Sequence, residues 1–237
     1  MPEPLLEPLL EYRGAGLSVS TGTGERVVLA PTTLELTERR IGIIGANGSG
    51  KSTLARMLNG LVVPTTGQVL VDGLDVATYG AKVRQQVAFC FTDPAAQLVM
   101  PTCIEDVELS LRRHEKNARR RRRRAQEVLE RFGLGEHTDV SVHALSGGQK
   151  QLLALAGVLA TEPRVLVADE PTTLLDLANT RRVTDLLFGL EQQLVLVTHD
   201  LELAARCDRV IVVEDARVRF DGPADAAVAD YLASVDA

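Results

Sequence analysis

"GANGSGKST", Gly45–Thr53, decides how this chain is read. It matches G-x-x-x-x-G-K-[ST] at every fixed position. The apolar run Ile41–Ile44 precedes it, and the helix-like run "STLARMLNGL" follows, stopping at Gly60 ahead of Pro64. Strand, glycine-rich turn and helix, in that order, bind a phosphate chain. Gly45, Gly48 and Gly50 let the backbone wrap the anion without Cβ clashes, and Asn47, Ser49 and Thr53 complete the lining. Backbone N–H groups and the helix N-terminus then face the phosphates. Lys51 is placed to reach the β- and γ-phosphates, and the Ser52 hydroxyl to ligate Mg²⁺. A glycine-rich turn with an exposed lysine is the plainer alternative, and the flanking strand and helix weigh against it.

Outward from this loop, short apolar runs recur at Val69–Val71, Val87–Phe91, Val165–Ala168, Leu194–Val197 and Val210–Val213. Several are apolar at every position, as strands buried on both faces are. A helical run, "LANTRRVTDLLFGLEQQ", follows Asp176, and strands alternating with helices predict an α/β fold with parallel strands. From about Pro94 to Ala160 no strand is convincing. "IEDVELSLRRHEKNARRRRRRAQEVLERFGL" reads as helix, with Val128, Leu129 and Phe132 as its apolar stripe. The expected division is therefore a nucleotide-binding core of residues 1–93 and 161–237, with residues 94–160 as a helical insertion. Arg119–Arg124, six arginines in succession, point all round a helix and read as a solvated surface turn. Contact with anionic lipid headgroups or an acidic partner is the sharper alternative.

Composition narrows the class. The 237 residues suit one large domain or one carrying an inserted subdomain. An apolar share of 45% with only 3% aromatics implies an aliphatic core. A net charge of −6 argues against a general nucleic-acid binder. Cys90, Cys103 and Cys207 form no C-x-x-C pair, which suits a reducing compartment and speaks against a zinc site. The acidic, proline-broken "MPEPLLEPLLEY" does not read as a signal peptide. No stretch reaches the roughly 18 apolar residues of a membrane span. A membrane role would have to come through a partner.

"RVLVADEP", Arg164–Pro171, supplies the acidic half of the site. At the end of a buried strand, Asp169 is placed to hold Mg²⁺ and Glu170 to polarise an attacking water. "LSGGQKQ", Leu145–Gln151, opens another helix. Ser146 is a natural N-cap, and Gly147 and Gly148 leave backbone amides uncovered, so a second anion-binding helix terminus exists in the same chain.

With these motifs together, the chain resembles the ATPase subunits of ABC transporters over nearly its whole length. The resemblance implies a P-loop NTPase (RecA-like) α/β core with a mixed or parallel sheet. It also implies an N-terminal antiparallel β region and an inserted α-helical subdomain carrying the signature motif. It assigns the signature to Ser146, Gly147, Gly148 and Gln149, a D-loop to Leu174-Leu175-Asp176, and a γ-phosphate-sensing histidine to His199 in "VTHD". ATP would be sandwiched between the P-loop of one chain and the signature of another, so a homodimer or a paralogous ATPase partner is implied. Catalysis would rest on Glu170, His199 and Lys51.

Two positions depart from the family pattern. The aromatic residue usual beneath adenine is replaced near Val19, with Tyr12 lying too early. Thr92 stands where the Q-loop glutamine is expected, with a shorter reach toward the metal. The stretch "DPAAQLVMPTCIEDV" is similar to the corresponding stretch of energy-coupling-factor vitamin and metal-ion importers. The matching positions are Asp93, Pro94, Gln97, Pro101, Thr102 and Asp106. That implies Gln97 at the interface with a transmembrane coupling (T) protein, and a separate substrate-binding membrane protein. It places the chain on the cytoplasmic face of the membrane, with no nucleic acid expected. "FTDPAAQLVMPT" is similar to biotin-importer ATPases. A soluble ABC-type ATPase in DNA repair is the alternative. Against it, no coiled-coil array separates the P-loop from the signature.

Overall fold

The computed structural model describes residues 9–22 and 24–235. Most of the acidic N-terminal stretch lies outside the described residues. The chain divides into two compact units, Met1–Val87 with Arg164–Asp169 and Leu190–Ala237, and Ala88–Pro163 with Glu170–Gly189.

The first unit contains two sheets. Long strands β1 (Leu10–Thr21) and β2 (Gly24–Leu36) form an antiparallel hairpin, extended by β4 (Thr66–Val71) and β5 (Leu74–Asp75) in the order β2-β1-β4-β5. The second sheet runs β10 (Arg217–Pro223), β9 (Arg209–Glu214), β3 (Arg40–Ile44), β8 (Gln193–Val197) and β7 (Val165–Asp169). Pairings β3 with β8, β3 with β9 and β7 with β8 are parallel, while β9 and β10 are antiparallel, so the sheet is mixed. Every residue of β3, β7 and β8 is buried, which is why these strands read as unbroken apolar runs. Helix α1 (Lys51–Met57) follows β3. The helices α2 (Val76–Gln86), α7 (Leu201–Ala204) and α8 (Ala224–Val235) complete this unit.

Tyr12 belongs to the core of the first unit. It is buried, and its hydroxyl donates to the Leu54 carbonyl at 2.8 Å. Burial pushes the phenol well above its ordinary pKa.

The chain enters the second unit at β6 (Val87–Cys90). This unit is helical, with α3 (Cys103–Leu111), α4 (Ala118–Arg131), α5 (Gly147–Leu159) and α6 (Leu177–Phe188). The long helix expected from Ile104 onward is two helices. The amides of His114 and Glu115 both turn back to the Leu111 carbonyl, ending α3. Asn117 then caps α4, its side chain accepting from the Arg120 amide. The helix expected to run on to Gln193 ends at Phe188, with Gly189 as C-cap, and Gln193 begins β8.

The grouping also differs from the expected core and insertion. Residues 88–93 and α6 fall in the helical unit. Arg182, on α6, donates to the Phe132 carbonyl, and Asn179 lies directly on Gly148 of α5. Sequence order separates α6 from the other helices of its unit, but packing joins it to them.

Five of the six arginines in the run pair with acids of their own unit. Arg120 pairs with Glu115, Arg121 and Arg122 approach Glu108, Arg122 also pairs with Asp139, Arg123 with Glu127 and Arg124 with Glu162. Because consecutive helical residues point in different directions, the run ties α4 to α3, to the following turn and to the end of α5. Each such pair contributes little at the surface.

Tyr12→Phe is expected to lower stability by about 1 kcal/mol, the worth of one buried hydrogen bond. Urea unfolding of the two chains checks it.

Candidate functional site

The phosphate loop begins where β3 ends. Gly45 has φ 147°, and a Cβ there would lie 2.0 Å from the Val213 carbonyl oxygen of β9. Gly50, with φ 108°, caps α1, and a Cβ there would meet the Val28 carbonyl at 2.8 Å. Only glycine fits at either place. Lys51 is buried on the first turn of α1, with Nζ donating to the Ala46 carbonyl at 3.3 Å. That bond bends the lysine back over its own loop, above the space the loop encloses. Ser49 is buried, while Asn47 and Gly48 are exposed.

Asp169 ends β7 and is 1% exposed. One carboxylate oxygen accepts from the Ser52 hydroxyl at 2.9 Å, and the other pairs with Arg56 at 2.9 Å. Thus α1 supplies two partners of the buried carboxylate, one on its first turn and one near its end. Arg56 went unnoticed in the sequence, where a surface arginine on a helix carries no signal. Ser52 and Asp169 are hard oxygen donors and fit Mg²⁺, which takes one or two protein oxygens and keeps its remaining ligands from water and phosphate.

Glu170 follows at once, with φ 53°, a left-handed conformation that costs a non-glycine residue roughly 1 kcal/mol or more. Its carboxylate accepts from the Thr173 hydroxyl at 3.0 Å. His199 is exposed in the turn after β8. The Thr198 amide donates to the Ile43 carbonyl, and Asp200 caps α7 through the amides of Glu202 and Leu203, so the residues on both sides of His199 are held.

The signature stands in the second unit. Ser146 caps α5, accepting from the Gln149 amide at 3.3 Å, while Gln149 Oε1 accepts from the Ser146 amide at 2.9 Å. This is a reciprocal capping box. With its oxygen occupied, the Gln149 amide nitrogen is the donor to His137 Nε2, 2.9 Å away. His137 comes from the turn after α4, and nothing in the sequence tied it to the signature. Asp176 caps α6, and hydrogen bonds from the Asn179 amide and side chain hold its carboxyl below the usual range.

The stretch Phe91–Pro101 is fastened by its own side chains. Asp93 caps a short 3₁₀ turn, Pro94–Ala96, by accepting from the Ala95 amide. Gln97, expected to face a partner, has both ends of its amide engaged inside the unit. Oε1 accepts from the Phe91 amide at 3.2 Å, and Nε2 donates to the Ala154 carbonyl at 3.2 Å. Asp106 is buried and accepts from the amides of Val99 and Met100. Thr102 and Glu105 form the capping box of α3. Thr92 lies half-buried after β6. The exposed residues of this stretch are Asp93, Ala95, Ala96, Val99 and Pro101.

The model of the ABC transporter family matches residues 29–173. The chain belongs to the ABC transporter family. A Deinococcus radiodurans protein described as an ABC transporter ATP-binding protein is 48% identical over 213 residues, covering 90% of this chain and 94% of its own. The biotin transport ATP-binding protein BioM of Rhizobium etli is 43% identical over 222 residues, covering 94% of this chain and 97% of its own. The energy-coupling factor transporter protein EcfA2 of Symbiobacterium thermophilum is 47% identical over 189 residues, covering 76% and 66%. Among solved structures, cbiO1 of Clostridium perfringens, part of the ABC transporter complex cbiONQ, superposes with a TM-score of 0.81 at 28% identity, covering 97% of this chain and 94% of its own. The ABC cassette MJ0796, a dimer bound to ADP and Pi, gives 0.82 at 28% identity, covering 91% and 98%.

As an ABC ATPase the chain hydrolyses ATP in the service of transport. Among the described residues no helix is long and apolar enough to cross a membrane. Val19 is 40% exposed, and alternation along β1 places it on the face of Leu17, whose cross-strand partner Leu29 lies against Gly50.

Arg56→Ala is expected to lower the stability of the nucleotide-free ATPase by about 1–2 kcal/mol, a charged hydrogen bond discounted for the half-exposed arginine. Urea unfolding reads the loss, and an unchanged midpoint would mean that Arg56 does not support Asp169.

Proposed function

We propose that this chain is the ATP-hydrolysing subunit of an energy-coupling-factor importer, lies on the cytoplasmic face of the membrane, and serves biotin uptake. The observation that carries the cargo is the 43% identity to BioM, which extends over 94% of this chain and 97% of that protein. A vitamin other than biotin or a transition-metal ion is the second reading, since the likeness to EcfA2 and to cbiO1 names no cargo. A DNA-repair ATPase is not favoured, since these relatives are transporter proteins.

Two copies, or this chain and a paralogous ATPase, would pack head to tail, so that the P-loop of one faces the signature of the other. The dimeric MJ0796 structure supports a pairing of two cassettes. Backbone amides of Gly45–Lys51 would cradle the phosphates, with Lys51 leaving the Ala46 carbonyl to reach the γ-phosphate. Ser52 and Asp169 would hold Mg²⁺, which when bound offsets the charge of the β- and γ-phosphates. Glu170 would accept the proton of the attacking water, aimed by its left-handed backbone. His199 would contact the γ-phosphate from its held turn. From the second copy, Ser146 and the open amides of Gly147 and Gly148 would complete the phosphate site. Asp176 and its neighbours would line the junction of the copies.

A T-type coupling protein would dock on the short apolar surface of Ala95, Ala96 and Val99, which the bonds of Gln97 and Asp106 keep in shape. Thr92 would reach the metal only through water.

Glu170→Gln is expected to leave ATP binding within about twofold and slow hydrolysis by roughly 10²–10⁴, the usual worth of a general base. It should also trap an ATP-bound dimer, visible by size-exclusion chromatography. An unchanged rate would remove Glu170 from the role. The cargo is tested by purifying the chain from detergent-solubilised membranes. A T-type coupling protein and a small substrate-binding membrane protein are expected to accompany it, and the complex should bind labelled biotin and not labelled cobalt or nickel. Binding of the metal ion alone would replace biotin by the second reading.

A further inference from the structure

We infer that Asn179 is a positioning residue that couples the Asp176 loop to the N-terminus of the signature helix. A Cβ on Gly148 would lie 2.3 Å from Asn179 Cγ, 2.4 Å from Oδ1 and 2.6 Å from Nδ2. The carboxamide of Asn179 therefore occupies the space that a side chain at position 148 would take. Gly148 lies in regular helix, and its φ is not in the left-handed region. Glycine is required there by the neighbouring asparagine.

The same carboxamide is tethered at its far side. Asn179 Nδ2 donates to Asp176 Oδ2 at 2.8 Å, and the Asn179 amide donates to Asp176 Oδ1 at 2.9 Å. An ordinary N-cap needs only the backbone bond. The side-chain bond fixes the amide plane, and the fixed plane is what packs on Gly148. The neighbouring glycine meets the same loop, since a Cβ on Gly147 would lie 3.8 Å from the Leu174 carbonyl. Gly147, Leu174 and Leu175 also line one small cavity with Pro94 and Lys150. A shift of Asp176 thus moves Asn179, and Asn179 cannot move without releasing or displacing Gly148. The residues that line the junction of two copies and the residues that meet the phosphate from the second copy then shift as one.

The consequence for turnover rests on the dimer proposed above, whereas the positioning itself does not. In the full nucleotide-free chain, hydrogen exchange at the amides of Gln149 and Lys150, both bonded to Ser146, reads the positioning directly. Asn179→Ala is expected to speed exchange there about tenfold or more, with the P-loop amides unchanged. Asn179→Ser, which keeps a hydroxyl for Asp176 but uncovers Gly148, is expected to fall between. In the ATPase assay, Asn179→Leu is expected to lower kcat about tenfold with KM for ATP within twofold. Asp176→Ala added to it should bring little further loss, because coupled residues are not additive. Unchanged exchange in Asn179→Ala, or fully additive losses, would overturn the inference. If the Glu170→Gln chain stayed monomeric with ATP while exchange still rose in Asn179→Ala, the dimer reading would fail and the positioning role would stand.

Discussion

A carboxylate buried at the end of a strand is costly unless it is paired, and Asp169 organises the first unit around that requirement. Its two oxygens take the Ser52 hydroxyl and the Arg56 guanidinium, so β7 and α1 are held in one geometry. The loop between β3 and α1 must then pass close to β9 and to the β1–β2 hairpin, which leaves no room for side chains at Gly45 and Gly50. These contacts shape the loop that would cradle phosphate. The same oxygens that satisfy the buried charge are the ones a divalent cation would use, so the site is organised before nucleotide arrives.

In the second unit a helix terminus is left open and yet held still. Ser146 and Gln149 satisfy each other in the capping box, His137 fixes the outer end of Gln149, and Asn179 covers Gly148. The stretch around Gln97 is treated likewise, with its polar side chains turned to backbone and its alanines left outward. In both places the polar residues of a motif serve the shape of the chain, and the exposed backbone or apolar surface would be left for the partners proposed above.

Much of this was legible because the informative residues are close in sequence. The six apolar runs each became a strand, within one residue of the expected ends except at β4, which starts three residues earlier at Thr66; strands buried on both faces admit few polar residues. Less was legible where polar residues carried the structure. The break between α3 and α4 falls among mostly charged residues, most of which favour helix, and it is made by backbone turns and the Asn117 cap. The long β1–β2 hairpin carries bulges and exposed positions that blur its alternation. The arginine run looked like a charged surface, and its ion pairs with Glu108, Asp139 and Glu162 could not be seen because those acids come from other elements.

By itself the sequence determined the phosphate loop, the strand carrying Asp169, the signature cap and, through them, the family. Each of these depends on residues a few positions apart, joined by the geometry of one strand, turn or helix. Only the tertiary structure decided that Arg56 holds Asp169, that His137 holds Gln149, that Gln97 turns inward, and that Asn179 stands on Gly148. Except at Arg56, whose partner lies across the sheet, these contacts join separate helices and turns. They depend on packing, where a fraction of an ångström decides whether a side chain or a glycine fits, and no local pattern of residue types encodes that distance.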